Sequence, residues 1–330
     1  MNWKIGLFLT TLLALIGWAT FPSGTTPSQM VAGRSSAGLP AQTGDPEPAT
    51  PQDVLVQTAY ATLSTAVRDL PPADLSELDP RLDREINPRL SLFTPLEVEV
   101  TEGLDPLLAI QAASHAPAAP NAFGTPLLNF EAQGYSFVQP PDTVGEVGLN
   151  HYIHMINGSG GTQMRIYNKS GVQIGSTIIV QTLGSGGCAN GAGDPIVLYD
   201  HLANRWMISE FSGSTNALCV YVSQTADPTG SWYAYQFNTP NFPDYPKYSV
   251  WTDGYYATTN EDSGPTVYAF ERAAMLTGAP ADMVRLGAPA LAGFGFQAFT
   301  PADLDGPAPP TNSPALFMRH RDDEVHNGRK

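Results

Sequence analysis

Charge is scarce in this chain, and positive charge scarcer. Asp, Glu, Lys and Arg make up 14% of the 330 residues, with 16 basic against 31 acidic side chains and a formal net charge of -15. Recognition of a nucleic-acid backbone needs clustered Lys and Arg, so this balance excludes nucleic acid as a partner. A cation, a neutral glycan or a basic protein fits it better. Cysteine is limited to Cys188 and Cys219. Neither lies in a CxxC pair or beside a nearby His, which excludes a thiolate zinc site. No GxSxG elbow and no GK[ST] loop occur, which argues against a serine hydrolase and a P-loop nucleotide site. The glycine-rich stretches 158–161 and 184–187 read as hairpin turns instead.

Long apolar runs are also missing, with one exception at the start. "MNWKIGLFLTTLLALIGWAT" places Lys4 before an apolar stretch from Ile5 to Trp18, followed by the small residue Ala19. This is the pattern of a secretory signal over residues 1–19, shorter than the roughly 20 apolar residues of a bilayer span. It is either cleaved near Ala19 or kept as an N-terminal anchor, which would be the only membrane contact. The expected location is therefore secreted or cell-surface. Disulfides persist there, so an even cysteine count favours a Cys188–Cys219 bridge over two buried thiols.

What is abundant is Gly (31) and Pro (30), the punctuation of many short strands. Residues 20–52 are rich in Pro, Ser, Thr and Gly and read as a disordered linker. Residues 53–125 read as a weakly structured segment with one short helix, since Leu55, Ala59, Leu63 and Ala66 or Val67 recur at helical spacing. From 126 to 330 the composition turns to Tyr, Phe, Trp, Val and Ile in short runs. Strands are expected at 151–157, 162–168, 173–181, 195–199, 205–211, 218–224, 232–238, 247–251, 254–260, 266–271 and 315–320, with a little helix at "ERAAML".

Four stretches in this region share one order of features: "PPDTVGEVGLNHYIHMIN", "GDPIVLYDHLANRWMISEF", "PDYPKYSVWTDGYYATTN" and "PADLDGPAPPTNSPALFMRH". Each opens on an Asp and leads to an aromatic-rich strand. The leading residues are Asp142, Asp194, Asp244 and Asp303, at intervals of 52, 50 and 59 residues by subtraction of their numbers. Such a period, with about four strands per unit, is the mark of β-propeller blades. The expected fold is all-β, a partial propeller of about four blades, read as an incomplete one because many propellers close with more.

In a propeller the first strands of all blades surround one axis, so the four carboxylates are expected to converge there. Convergent carboxylates raise one another's pKa, share protons or recruit a cation. The competing reading is structural: an Asp before a strand accepts turn N–H groups wherever the turn recurs. On the functional reading, Asp142, Asp194, Asp244 and Asp303 are candidate ligand-binding residues and candidate Ca²⁺ ligands, calcium being tolerant of irregular oxygen donors. Trp206 and Tyr255 are candidate faces for sugar rings, unless they fill the space between blades. For glycoside hydrolysis, which needs two carboxyl groups across the bond, Asp142, Asp194, Asp244 and Glu210 are the candidates, with Glu261 a further acid. Asn157 and Asn168 are formal N-glycosylation acceptors.

These motifs, with "DPTGSWYAYQF", carry a resemblance. Over residues 126–326 the chain looks like a family of large, mostly uncharacterised bacterial secreted or surface proteins with a propeller domain. The resemblance implies no set activity; it implies a cysteine in each of the segments bearing Cys188 and Cys219, and a longer chain. More distantly, the entry at Asp194 and the "DGYY" strand are similar to blade starts in glycosidase and sialidase-like propellers. The arginine triad and repeated Ser-x-Asp boxes of sialidases are missing. The expected function is an exported binding or scaffold module with a glycan or extracellular protein partner, with glycoside hydrolysis as the alternative.

Overall fold

The computed structural model describes residues 54–76, 81–82, 126–289 and 299–319. The signal, the linker, 77–80, all of 83–125, 290–298 and the polar run 320–330 lie outside the described residues. Within them the chain is almost wholly β. Its strands are β1 (Leu55–Ala59), β2 (Thr62–Leu63), β3 (Arg81–Leu82), β4 (Val138–Gln139), β5 (Val144–Val147), β6 (His151–Ile156), β7 (Gln163–Asn168) and β8 (Gln173–Ile179). There follow β9 (Ile196–Asp200), β10 (Arg205–Phe211), β11 (Ala217–Ser223), β12 (Trp232–Asn238), β13 (Asp244–Val250), β14 (Tyr255–Glu261), β15 (Gly264–Phe270) and β16 (Ala281–Gly287). A short pair, β17 (Thr300–Pro301) and β18 (Phe317–Met318), completes the set, and one turn of helix, α1 (Arg272–Met275), lies between β15 and β16.

Three consecutive antiparallel meanders form the body: β5-β6-β7-β8, β9-β10-β11-β12 and β13-β14-β15-β16. Each is one blade. Their first strands lie side by side, β9 touching both β5 and β13. That is the arrangement of propeller blades around an axis. In the fourth repeat the described residues form only the two-stranded β17–β18 ladder, in place of the expected four-stranded blade.

Side-chain alternation explains why the middle blade reads as nearly continuous apolar sequence. Along β10, Trp206 and Ile208 join blade-1 residues such as Ile153 and Met164 in one core. Met207 and Phe211, on the other face, join Tyr248, Tyr255 and Phe270 of blade 3 in a second. Period-2 alternation thus buries the β10 side chains from Trp206 to Phe211 on both faces of the strand. The disulfide pins this blade: Cys188, in a 3-10 turn at Gly186–Ala189, is bonded to Cys219 of β11, closing 31 residues. The expected bridge is present.

The helix expected near 53–69 is not formed. Residues 55–59 are instead a fifth strand on blade 3, with Val56 opposite Val284 and Ala59 opposite Ala281. Strand β2 adds to blade 2 through Leu63 and Tyr233, and the Ala73 N–H bonds the Thr177 carbonyl of blade 1 at 2.9 Å. This segment therefore runs over the outer edges of all three blades. Helical spacing lost because the unpaired N–H and C=O groups of β12 and β16 offered a ladder that a lone amphipathic turn cannot match.

Candidate functional site

At one end of the inner strands the three blade entries bound a cleft of about 350 Å³. Asp142, Asp194 and Asp244 line it, with Val144, Ile196, Tyr245, Lys247 and the prolines Pro140, Pro195 and Pro246. Local backbone geometry explains the aim of each wall. Asp142 (φ 36°) and Asp194 (φ 49°) both turn through the left-handed region. Asp tolerates that region better than most residues, because its short side chain bonds locally. One residue further on, past Thr143 or Pro195, Val144 or Ile196 starts the strand.

Blade 3 is built differently. Here the left-handed residue is Tyr245 (φ 52°), one position after Asp244, and Pro246 and Lys247 follow. The ladder shifts between Asp244, opposite Asn260, and Lys247, opposite Thr258, so the first strand carries one extra residue. By backbone position Tyr245 matches Asp142 and Asp194, while Lys247 matches Val144 and Ile196. Spacing of acidic residues hid this one-residue bulge. Asp244 itself is buried, and Tyr245 is 39% exposed.

Lys247 is the basic residue among those lining the cleft. Its Nζ lies 3.5 Å from the centre of the Tyr245 ring and donates to the Pro246 carbonyl at 3.1 Å. Burial pulls its pKa below the usual lysine value, and the carboxylates of Asp194, Asp142 and Asp244 act against that pull. The ammonium is thus under the field of all three walls at once.

Asn157, just past β6, holds two walls in place. Its Nδ2 donates to Asp142 Oδ2 at 3.0 Å and to the Pro140 carbonyl at 3.1 Å, and its Oδ1 accepts the Asp194 N–H at 2.8 Å. It is fully buried, so a sequence feature that read as a glycan acceptor is a brace. Gly193 (φ +99°) allows this approach, since a Cβ there would lie 2.5 Å from Asn157 Oδ1. Nothing in the local sequence marks Asn157 as a brace; only the antiparallel pairing that brings the end of β6 back to Asp142 does so.

Other expected site residues lie elsewhere. Asp303 sits after β17 and accepts the Val250 N–H at 2.7 Å, at the opposite end of β13 from Asp244. It is therefore not one of the cleft walls. Trp206 is 0% exposed, its Nε1 bonded to the Ala226 carbonyl at 3.2 Å. Tyr255 is likewise 0% exposed and donates to Asp200 Oδ2 at 2.8 Å. Both fill space between blades and present no face to a ligand. Glu210 is buried on β10, where it accepts the Thr162 N–H at 3.3 Å and the Tyr221 hydroxyl at 3.5 Å, away from the cleft lining. Glu261 is paired with Arg285 at 2.6 Å inside blade 3. Among the described residues, no three His, Cys, Asp or Glu side chains are grouped so as to hold a metal ion.

No family model matches the chain, and no curated protein matches it either. Among solved structures it has a distant similarity to a candidate exo-β-1,3-galactanase from Bifidobacterium bifidum s17, with a TM-score of 0.29 and 16% identity over 40% of this chain. A second is a GH43 β-1,3-galactosidase, with a TM-score of 0.28 and 13% identity over 42% of this chain. The matches span 48% and 33% of those two proteins. Blade architecture here rests on strand order and not on these likenesses.

Proposed function

We propose that this chain is an exported binding module whose ligand site is the cleft at the blade entries, and that the ligand is a short neutral saccharide. The observation that carries the reading is the placement of Asp142, Asp194 and Asp244, one from each of three successive blades, on a single cleft. Carboxylates that outnumber the cations around them are strong acceptors for hydroxyl groups. Tyr245, Val144, Ile196 and the prolines supply the apolar surface on which a sugar ring rests. The volume is at the small end of the range for ligand cavities, about 300–1,000 Å³, which suits a short saccharide. Export is supported by the apolar start of the chain and by the Cys188–Cys219 bridge.

Calorimetric titration of the full chain with galactose- and glucose-based oligosaccharides tests this. Binding that weakens at least tenfold in Asp194→Asn is the expected result; no heat from any neutral saccharide overturns it. A second reading, glycoside hydrolysis, is favoured by the presence of more than one carboxylate on the same cleft, the minimum for that chemistry. Release of nitrophenol from aryl glycosides by the wild type, lost in Asp194→Asn, would replace the binding reading with the catalytic one.

A further inference from the structure

The two pseudo-equivalent walls and the third, rebuilt one carry a more specific conclusion. At the strand position where blades 1 and 2 present Val144 and Ile196, blade 3 presents Lys247. The side chain is not a solvated surface lysine: its stem is partly buried, its Nζ is held 3.5 Å over Tyr245 and it is tied back to the Pro246 carbonyl. An ammonium over an aromatic face is attracted by the ring quadrupole, more so when partly dehydrated. The surrounding opposite charges come from Asp142, Asp194 and Asp244, on all three walls. A cleft with three carboxylates and no cation would draw in organic ammonium groups or metal ions. This one already contains its cation, placed by a bulge in its first strand that the first strands of the other two blades lack.

We propose that Lys247 is the resident counter-cation of the cleft and its specificity-determining residue, so that the site takes uncharged, hydroxyl-bearing ligands and excludes ammonium-bearing ones. The inference rests on the neutral-saccharide reading for its ligand but not for the role of the lysine itself. Anionic ligands are disfavoured by the carboxylates, a cationic one has to displace the ammonium already held among them, and a neutral polyol meets neither penalty.

Chemical rescue tests the counter-cation role without any saccharide. In the full chain, Lys247→Ala should gain a rise in melting temperature of about 3–5 °C with n-butylammonium at roughly ten times its Kd. The wild type should show none. Should Ala at this site prevent folding, Lys247→Met with methylammonium gives the same readout while keeping the side-chain stem. Equal shifts in wild type and variant, or no shift in either folded variant, overturn the proposal. Where saccharide binding is measurable, Lys247→Ala should change the preference between glucosamine and glucose by about tenfold toward the charged sugar, and an unchanged preference overturns the specificity role. Rescue without saccharide binding removes the proposed function and leaves the lysine's role intact; saccharide binding without rescue does the reverse.

Discussion

Carboxylates meet two different fates in this molecule, one in the interior of the blades and one at their entries. Asp200, at the end of β9, is fully buried and has a full complement of partners: Arg272 Nε at 2.6 Å, Arg272 Nη2 at 2.9 Å and the Tyr255 hydroxyl at 2.8 Å. Glu261 repeats the pattern with Arg285 and the Tyr268 hydroxyl. In both, burial followed by the nearby carboxylate pushes the tyrosine hydroxyl far above its usual range. Asp142, Asp194 and Asp244 instead share the field of one lysine. A carboxylate with its own guanidinium ties sheets together, whereas the three at the entries line one cleft around one ammonium.

Arg272→Met gives the comparison its largest test. It leaves Asp200 buried and without its guanidinium, and breaking a buried pair from one side costs about 3–5 kcal/mol. Asp194→Asn, at the cleft, keeps a residue that tolerates the left-handed backbone and should cost roughly 0.5 kcal/mol or less. Urea unfolding of the two variants measures both. Comparable losses would mean that the cleft carboxylates are as structural as Asp200, and would remove the distinction drawn above.

The bridge comes next. Replacing Cys188 and Cys219 together by Ser should lower stability by about 3–4 kcal/mol, the chain-entropy value for a 31-residue loop, while leaving ligand binding at the cleft intact once folded. Asn157→Ala follows, at about 1–3 kcal/mol, because it strands a buried N–H of Asp194 and the acceptors of Asp142 and Pro140. Unlike the disulfide variant, it should also weaken saccharide binding, since it loosens two walls. A loss of stability with unchanged binding would make Asn157 a brace for the fold alone.

Much of the blade body was legible because its strands follow simple alternation: β6, β10 and β12 fall on or within a residue of their expected limits. Three of the four members of the acidic period line one cleft, Asp244 from one residue before the left-handed position that Asp142 and Asp194 hold. What escaped was whatever depends on partners distant in sequence. Trp206 and Tyr255 read equally as sugar-stacking faces or as filler between blades, and the neighbouring blade that covers them makes them filler. Residues 55–59 look helical until β16 offers a free edge. Asp303 keeps the period but not the position, because its repeat does not build a full first strand among the described residues. In sequence Lys247 is a lone lysine near two tyrosines; only the bulge at Asp244 brings it level with Val144 and Ile196.

The smallest expected effect lies at the far end of the inner strands, where a third group of acids serves as a control. Glu146, near the end of β5, has its pKa raised first by desolvation and then by Asp305 and Asp303, against a lowering bond from the Val147 N–H. A carboxyl raised in the folded state binds its proton more tightly there than in the unfolded chain. Its penalty is then present in full above the folded pKa and disappears as pH falls below the unfolded value, near 4.5. Glu146→Gln should therefore stabilise the protein at pH 7, by no more than the roughly 0.2–1 kcal/mol typical of partly exposed charges, and give no gain at pH 3.5. Melting curves at the two pH values decide it. A gain that persists at low pH would come from packing, whereas a loss at neutral pH would show that Glu146, like Asp200, has a cation of its own.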